Sequence, residues 1–181
     1  PEQSGYMMSV GYDMYLQLLE DAVLEEKGEK KKANAECAAD LTISANIPDY
    51  YVPSPEQRMD LYRRIAAIRG QADASDLLDE LMDRYGDPPK SVYALLDVAM
   101  LRSSAAQAGV SEITQRGEKL KFVISSFSVE AIAAVCSSPK YRQRLSLAAG
   151  DTPALTLALR PKDNVLDAAL ELVEDLKLAA G

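Results

Sequence analysis

Three carboxylates, Asp76, Glu80 and Asp83, are the residues whose spacing most clearly points to chemistry. They lie four and three residues apart, so a helix would place them on one face, opposite a set of leucines. Between positions 72 and 87 the chain has six acidic residues and a single basic one, Arg84. Like charges at helical spacing repel, and a cationic partner would relieve that repulsion. The stripe therefore predicts a partner-binding surface, with a solvated helix face as the alternative reading.

Other reactive groups are scarce. The chain has no histidine, which excludes His-based catalytic triads and His-ligated zinc sites within it. No phosphate-binding loop of the GxxxxGK(S/T) or GxGxxG type is present. Cys37 and Cys136 lack metal-ligand spacing. We therefore expect no cofactor, no metal and no catalytic residue. An independent small enzyme, the least favoured reading, would need convergent carboxylates in a deep polar pocket.

A basic region between residues 119 and 144 supports a different hypothesis. Its basic residues are Lys119, Lys121, Lys140, Arg142 and Arg144. Tyr141 lies among them and could stack on a base of a single strand. The net charge of the whole chain is −8, which opposes non-specific attraction to a phosphate backbone. A nucleic-acid-binding accessory domain therefore remains the alternative function, beside an ordinary polar edge.

The elements that position these groups follow from apolar periodicity. Residues 10–26 have the pattern of an amphipathic helix, and the charged stretch after them, to residue 40, is predicted as a linker. Apolar and polar residues alternate over 41–47, which predicts a half-buried strand. The chain thus begins with a predicted helical arm, residues 1–40, ahead of a folded domain that covers residues 41–181.

Three helices are predicted next. Ser54 is expected to cap the first, within a capping box, and Gly70 to end it. Ser75 is expected to cap the second and Gly86 to end it. A third covers about 90–108, where Gly109 stops it. The side chains that the second helix should turn inward are Leu77, Leu78, Leu81, Met82 and Tyr85.

The second half of the chain predicts strands as well as helices. Two strands surround a turn at Gly117, and Ser128 caps a short helix. The stretch ALTLALR, which begins at Ala154, reads as a strand, and residues 163–178 form a closing amphipathic helix. The predicted fold class is α+β, with helices packed on a small mixed or antiparallel sheet and the N-terminal helical arm in front of it.

Targeting signals are not evident. No apolar run approaches the ~18 residues that a membrane span needs, and no basic segment precedes an apolar one at the start. The two cysteines read as reduced thiols. We expect a cytoplasmic location and no membrane partner.

Four stretches together carry a family resemblance. They are EQSGYMMSVGYDMYLQLLEDAV, IPDYYVPSPEQRMDLYRRIA, LMDRYGDPP and LLDVAMLRSSAAQAGV, in this order along the chain. The set resembles the carboxy-terminal region of the bacterial transcription-repair coupling factor (Mfd) family, including its C-terminal regulatory domain. The resemblance implies that Gln3 and Gly5 belong to the end of a translocation motif, which links ATP hydrolysis to movement along DNA. It also implies that the motor domains are absent from this chain, and that the intact protein contacts DNA only through those absent domains.

The same resemblance implies a regulatory role for residues 41–181. In this family the domain packs on an amino-terminal UvrB-like domain of the same protein, masks the surface that recruits UvrA, and restrains the DNA translocase until RNA polymerase is engaged. Its acidic contacts correspond to Glu80 and Asp83, within the stripe that the charge pattern selects. The fragment is accordingly expected to be non-catalytic and autoinhibitory, in transcription-repair coupling and nucleotide excision repair of DNA damage.

Overall fold

The computed structural model describes residues 37–126 and 128–180. The chain divides into two compact units. The first includes Thr42–Met100, and the second includes the segment that ends at Leu41 together with the residues from Leu101 onward. Helices and a mixed sheet are both present, so the predicted α+β class is confirmed. The predicted helical arm at 10–26 lies outside the described residues.

The first unit, as far as it is described, is helical. It contains α1 (Pro55–Ala66), α2 (Gln71–Tyr85) and the part of α3 (Lys90–Gln107) up to Met100. Apolar side chains at three- and four-residue spacing turn to one side of α1 and of α2, which is the pattern that buries one helix face, whereas α3 buries residues over a wider arc. The buried side chains on these helices include Leu61, Ile65, Leu77, Leu81, Val92 and Leu95.

Local signals correctly placed several helix ends. The Ser54 hydroxyl accepts a hydrogen bond from the Gln57 backbone N–H at 3.3 Å, so this N-cap is confirmed. Gly86 ends α2 with φ +83°, and Gly109 follows α3 with φ +81°. Both are left-handed conformations that glycine adopts without a Cβ penalty. At Gly109 a Cβ would also lie 2.5 Å from the Ser126 carbonyl oxygen. Both the backbone conformation and this close contact therefore require glycine at position 109.

The boundary between α1 and α2 differs from the prediction. α1 ends at Ala66, and Gly70 is the N-cap of α2 rather than the end of α1. Ser75 therefore lies inside α2 and caps nothing. The Asp73 carboxylate accepts the Arg69 backbone N–H at 3.0 Å, and this bond closes the connection between the helices. The N-cap of α2 has no side-chain hydrogen bond, so no residue takes the capping role predicted for Ser75.

The strand predicted over 41–47 is wrong, although its alternation of burial is real. Ala45 and Ile47 are buried while Ser44 is exposed. Their backbone, however, bonds to helices: Asn46 N–H donates to the Ser91 carbonyl at 3.1 Å, and Ile47 N–H donates to the Tyr62 hydroxyl at 2.9 Å. Alternating burial requires an extended chain, and a strand requires a neighbouring strand as well.

The second unit holds a sheet of five strands within the described residues, in the order β1-β2-β3-β5-β4. β1 pairs with β2 in parallel, and all other pairs are antiparallel, so the sheet is mixed. The β2–β3 turn at Gly117 and the Ser128 cap are both confirmed. The bounds are β1 Ala38–Asp40, β2 Val110–Arg116, β3 Lys119–Ile124, β4 Leu145–Ala148, β5 Ala154–Ala158, α4 Val129–Ser137, a 3-10 turn Pro139–Tyr141, and α5 Val165–Ala180.

The two faces of this sheet differ in composition. One face is apolar and buried, because successive strand residues point to opposite sides and every second one is large and aliphatic or aromatic. Its buried members are Ile113, Leu120, Phe122, Leu155 and Leu157. The buried faces of α4 and α5 complete the core of the unit, through Ile132, Val135, Leu172 and Val173. The intervening strand residues, among them Lys119 and Lys121, lie on the opposite face.

Candidate partner-binding surface

The acidic stripe lies on α2, as predicted, and the packing of that helix decides where it points. Leu77 and Leu81 are buried, at 3% and 1% exposure, and hold one side of α2 against its unit. Residues in an α-helix are about 100° apart, so Asp76 and Asp83 fall on the opposite side. Both are exposed. Asp79, which the stripe did not include, lies between Asp83 and Met82 around the helix and is exposed as well.

Glu80 is arranged differently from its two predicted companions. Its carboxylate pairs with Arg64 of α1 and, at 3.5 Å, with Arg84 one turn further along α2. The hydrogen bond from Arg64 is the main cause that holds the pKa of Glu80 below its ordinary value. Across the described residues, Asp76 and Asp83 have no such ion pair. Two carboxylates of the predicted stripe are therefore free to accept a cation, and the third is already neutralised within its own unit.

A partly exposed apolar surface of α2 lies next to these carboxylates. Met82 was predicted to turn inward, but 44% of it is exposed. Leu78 and Tyr85, four residues before and three after it, are only partly buried. The apolar arc of α2 is wider than its contact with the unit, so its outer edge remains in solvent. The surface of α2 therefore combines acceptors for a cation with a methionine that can adapt to an apolar contact.

The end of α2 is held by a tyrosine that the sequence reading did not single out. The Tyr51 hydroxyl donates to the Gly86 carbonyl at 2.8 Å and to the Leu81 carbonyl at 3.2 Å. Its ring lies 5.7 Å from that of Tyr85. Burial is the largest cause that raises the pKa of Tyr51. Nothing in the sequence distinguishes Tyr51, which is buried, from Tyr50 beside it, which is 76% exposed.

The basic region of the alternative hypothesis does not form one patch. Lys140 pairs with Glu171 at 2.7 Å and with Asp175 at 3.0 Å. Arg144 pairs with Asp163 at 2.9 Å, and both of these side chains are largely buried. Tyr141 is 2% exposed, so its ring is not available to stack on a base. The structure thus removes Lys140, Tyr141 and Arg144 from that hypothesis.

Gln3 and Gly5, the expected remnant of the translocation motif, lie outside the described residues. No cluster of three or more cysteine, aspartate and glutamate side chains fit to hold a metal ion occurs in the described ranges. Among those same residues, no helix has the length and apolar character of a membrane span.

Comparisons with known proteins place the chain in a family. The TRCF domain profile matches residues 41–134, just over half of the chain. The chain is 32% identical over 133 residues to the transcription-repair-coupling factor of Staphylococcus epidermidis, and 34% identical over 125 residues to that of Bacillus subtilis. The two matches cover 72% and 68% of this chain. The chain spans only 11% of the length of either relative.

A solved structure has the same fold. The crystal structure of the C-terminal domain of a transcription-repair coupling factor aligns with a TM-score of 0.70, over 78% of this chain and 92% of that one. The two sequences are 21% identical over this alignment, so the likeness speaks for the fold alone. The match of the family profile extends from the first helical unit into the second unit. On that match, the chain belongs to the TRCF domain family of transcription-repair coupling factors.

Proposed function

We propose that this chain regulates a DNA-translocating motor and is not itself an enzyme. In this proposal its domain, residues 41–181, packs on an amino-terminal UvrB-like domain of the same protein. The contact masks the surface that recruits UvrA and restrains the motor until RNA polymerase is engaged. The domain therefore acts as an intramolecular latch, whose partner is another part of its own chain.

The exposed acidic face of α2 carries this proposal. Asp76 and Asp83 are charged acceptors without an ion pair in the described part of the chain, and they lie within the matched family region. Arginine is the best-suited cation for such carboxylates, because its planar guanidinium can donate two parallel hydrogen bonds. The exposed Met82 beside them adds an apolar contact of the kind found at the centre of protein interfaces.

Glu80 has a supporting part in this latch. Because Arg64 and Arg84 already contact its carboxylate, a partner arginine must displace or share them. Asp83 faces no such competition. We therefore assign the main contact to Asp83, and a positioning role to Glu80, which joins α1 to α2 through Arg64.

The energetics suit a latch that opens. An exposed rim ion pair contributes only ~0–1 kcal/mol, whereas a desolvated interfacial pair can couple by ~1.5 kcal/mol or more. Tethering both surfaces in one chain raises the effective concentration to roughly millimolar. A contact of only modest affinity between separate domains can therefore stay closed within one chain and still release when a competing partner binds.

The test is a calorimetric titration of this chain with the separately expressed UvrB-like domain, at about 50 mM and about 200 mM salt. We expect binding that weakens with salt, because the charges involved are only partly shielded from the solvent. Asp83→Arg should weaken it by about tenfold or more, which corresponds to losing a coupling of ~1.5 kcal/mol.

The matched control is Asp151→Arg, which makes the same charge change at an exposed position of the second unit. It should leave the affinity within about twofold, because a charge outside the proposed contact acts only through a screened field. If both variants weaken binding equally, net charge rather than the α2 surface explains the contact. If Asp83→Arg binds as the unchanged chain does, the assignment is wrong.

A further inference from the structure

The polar face of the sheet in the second unit places three cations and several hydroxyls together. Arg116 lies directly opposite Lys119 in the β2–β3 register, and Lys121 lies opposite Thr114. On the other side of β3, Lys121 is opposite Thr156, which in turn faces Ser146 of β4. Strand residues two apart share a face, so Arg116, Lys119 and Lys121 point to the same side. All three are exposed.

These three cations have no counter-ion among the described residues. Lys140 and Arg144 are each paired with carboxylates, whereas no ion pair joins Arg116, Lys119 or Lys121 to another described residue. Like charges directly opposite each other on neighbouring strands are destabilising. The acidic residues on the same face are Glu112, which accepts a hydrogen bond from Thr114 at 3.1 Å, and Asp40 on the edge strand. Although the net charge of the chain is −8, no ion pair within the described residues neutralises this cationic cluster.

We propose that this face of the sheet binds the phosphodiester backbone of DNA without reading its bases. Lysine, arginine and hydroxyl side chains are the groups that most often contact phosphate oxygens. Lys119 and Lys121 are about 7 Å apart along β3, and Arg116 lies about 5 Å across from Lys119, so their side chains reach several phosphates at once. No aromatic side chain lies among the described residues of this face, so it offers no platform for base stacking.

An acidic protein partner fits the same face less well. Protein interfaces have an apolar or aromatic centre surrounded by a polar rim. The exposed large apolar residues of the described chain all lie elsewhere: Tyr50, Met82, Tyr93, Val129, Leu147 and Leu178. The centre of this face consists of Lys121 between two threonines. Val123, two residues from Lys121 on this face, is only partly exposed, so cations and hydroxyls dominate the face and match a polyanion of phosphates.

The experiment measures binding of the whole chain to a short fluorescein-labelled DNA duplex by fluorescence anisotropy, between about 50 and 200 mM salt. Affinity should fall steeply as salt rises, because each neutralised phosphate releases counter-ions. Lys119→Glu combined with Lys121→Glu should reduce the affinity about tenfold or more at the lower salt. It should also reduce the slope of log affinity against log salt by about 1 for each lost phosphate contact. Duplexes of unrelated sequence should bind equally.

The matched control combines Lys90→Glu with Lys162→Glu, which makes the same charge change at exposed residues outside the strands of the sheet. It should change the affinity by less than about threefold, through the net charge alone. A Lys119→Gln and Lys121→Gln pair provides a milder variant, with circular dichroism confirming that each variant folds. Absence of salt-sensitive binding at about 50 mM, or equal loss in the control, overturns the proposal. Equal affinity for labelled polyglutamate would assign the face to an acidic protein instead.

Discussion

Each of the two units carries an acid-rich amphipathic helix, and the two helices use their carboxylates in opposite ways. On α5, Glu171 and Asp175 both contact Lys140, and Asp175 also accepts the hydroxyl of the buried Tyr141. Glu174, on the same helix, accepts the Ser104 hydroxyl at 2.8 Å. Three of the four acids of α5 therefore bond within their own unit, while Asp167 is exposed and has no ion pair to a described residue.

The carboxylates of α2 are paired in the opposite way from those of α5. Within the described part of the chain, Glu80 alone on α2 has cationic side-chain partners, Arg64 and Arg84, while Asp76 and Asp83 face solvent without an ion pair. The density of acidic residues is therefore a poor guide to a binding surface. What separates α2 from α5 is the number of carboxylates left after internal pairing. The carboxylates without an ion pair, together with the exposed Met82, make α2 the better candidate for a partner-binding surface.

The largest expected difference between α2 and α5 is in how much their carboxylates contribute to the free energy of unfolding. Asp175→Ala should lower the free energy of unfolding by about 1–3 kcal/mol, because it leaves the buried Tyr141 hydroxyl without an acceptor. Asp83→Ala should change it by no more than about 0.5 kcal/mol, since the residue is exposed and has no ion pair in the described structure. Urea unfolding followed by circular dichroism measures both. Equal losses would contradict the contrast between the two helices.

A smaller difference should appear at alkaline pH. Burial first, and then the hydrogen bond to Asp175, raise the pKa of Tyr141 above its ordinary value. The folded chain therefore keeps this proton while the unfolded chain releases it from about pH 10. The resulting stabilisation is fully present below about pH 10 and declines as pH rises toward the folded pKa.

The decline from this one group has a slope of at most about 1.4 kcal/mol per pH unit. Unfolding measured from neutral to strongly alkaline pH should show a shallower decline in Tyr141→Phe. Tyr50→Phe is the control, because Tyr50 is 76% exposed. If both variants follow the unchanged chain, Tyr141 does not set the alkaline limit.

The smallest effect is expected at the ion pair that ties α1 to α2. The hydrogen bond from Arg64 lowers the pKa of Glu80, so its stabilisation is present above the ordinary glutamate pKa of about 4.3. It is lost as pH falls through the lower, folded pKa. Arg64→Ala should lower the unfolding free energy slightly at neutral pH and converge with the unchanged chain in acid. Arg63→Ala, an exposed neighbour on α1, should show no such convergence. A constant difference at all pH values would rule out this ion pair as its source.

Elements with strong local signals could be predicted from the sequence. Gly109 follows α3, Gly117 forms the β2–β3 turn, α5 has an amphipathic apolar pattern, and Ser54 and Ser128 both cap helices as expected. Elements whose backbone partners lie far away in the sequence could not be predicted from it. Residues 41–47 alternate like a strand, yet their backbone bonds to Ser91 and to the Tyr62 hydroxyl. Alternation reports which side chains are buried, and does not report which backbone lies alongside.

For the candidate site, the sequence by itself determined the acidic stripe, since the order of residues along a helix decides which ones share a face. Only the tertiary structure decided which of these charges remain free. Glu80 is neutralised by Arg64, 16 residues earlier, and Lys140 by Asp175, 35 residues later, while Asp83 and Lys121 keep their charge unpaired in the described structure. An ion pair forms only at contact distance, and separation along the sequence does not specify distance in the fold.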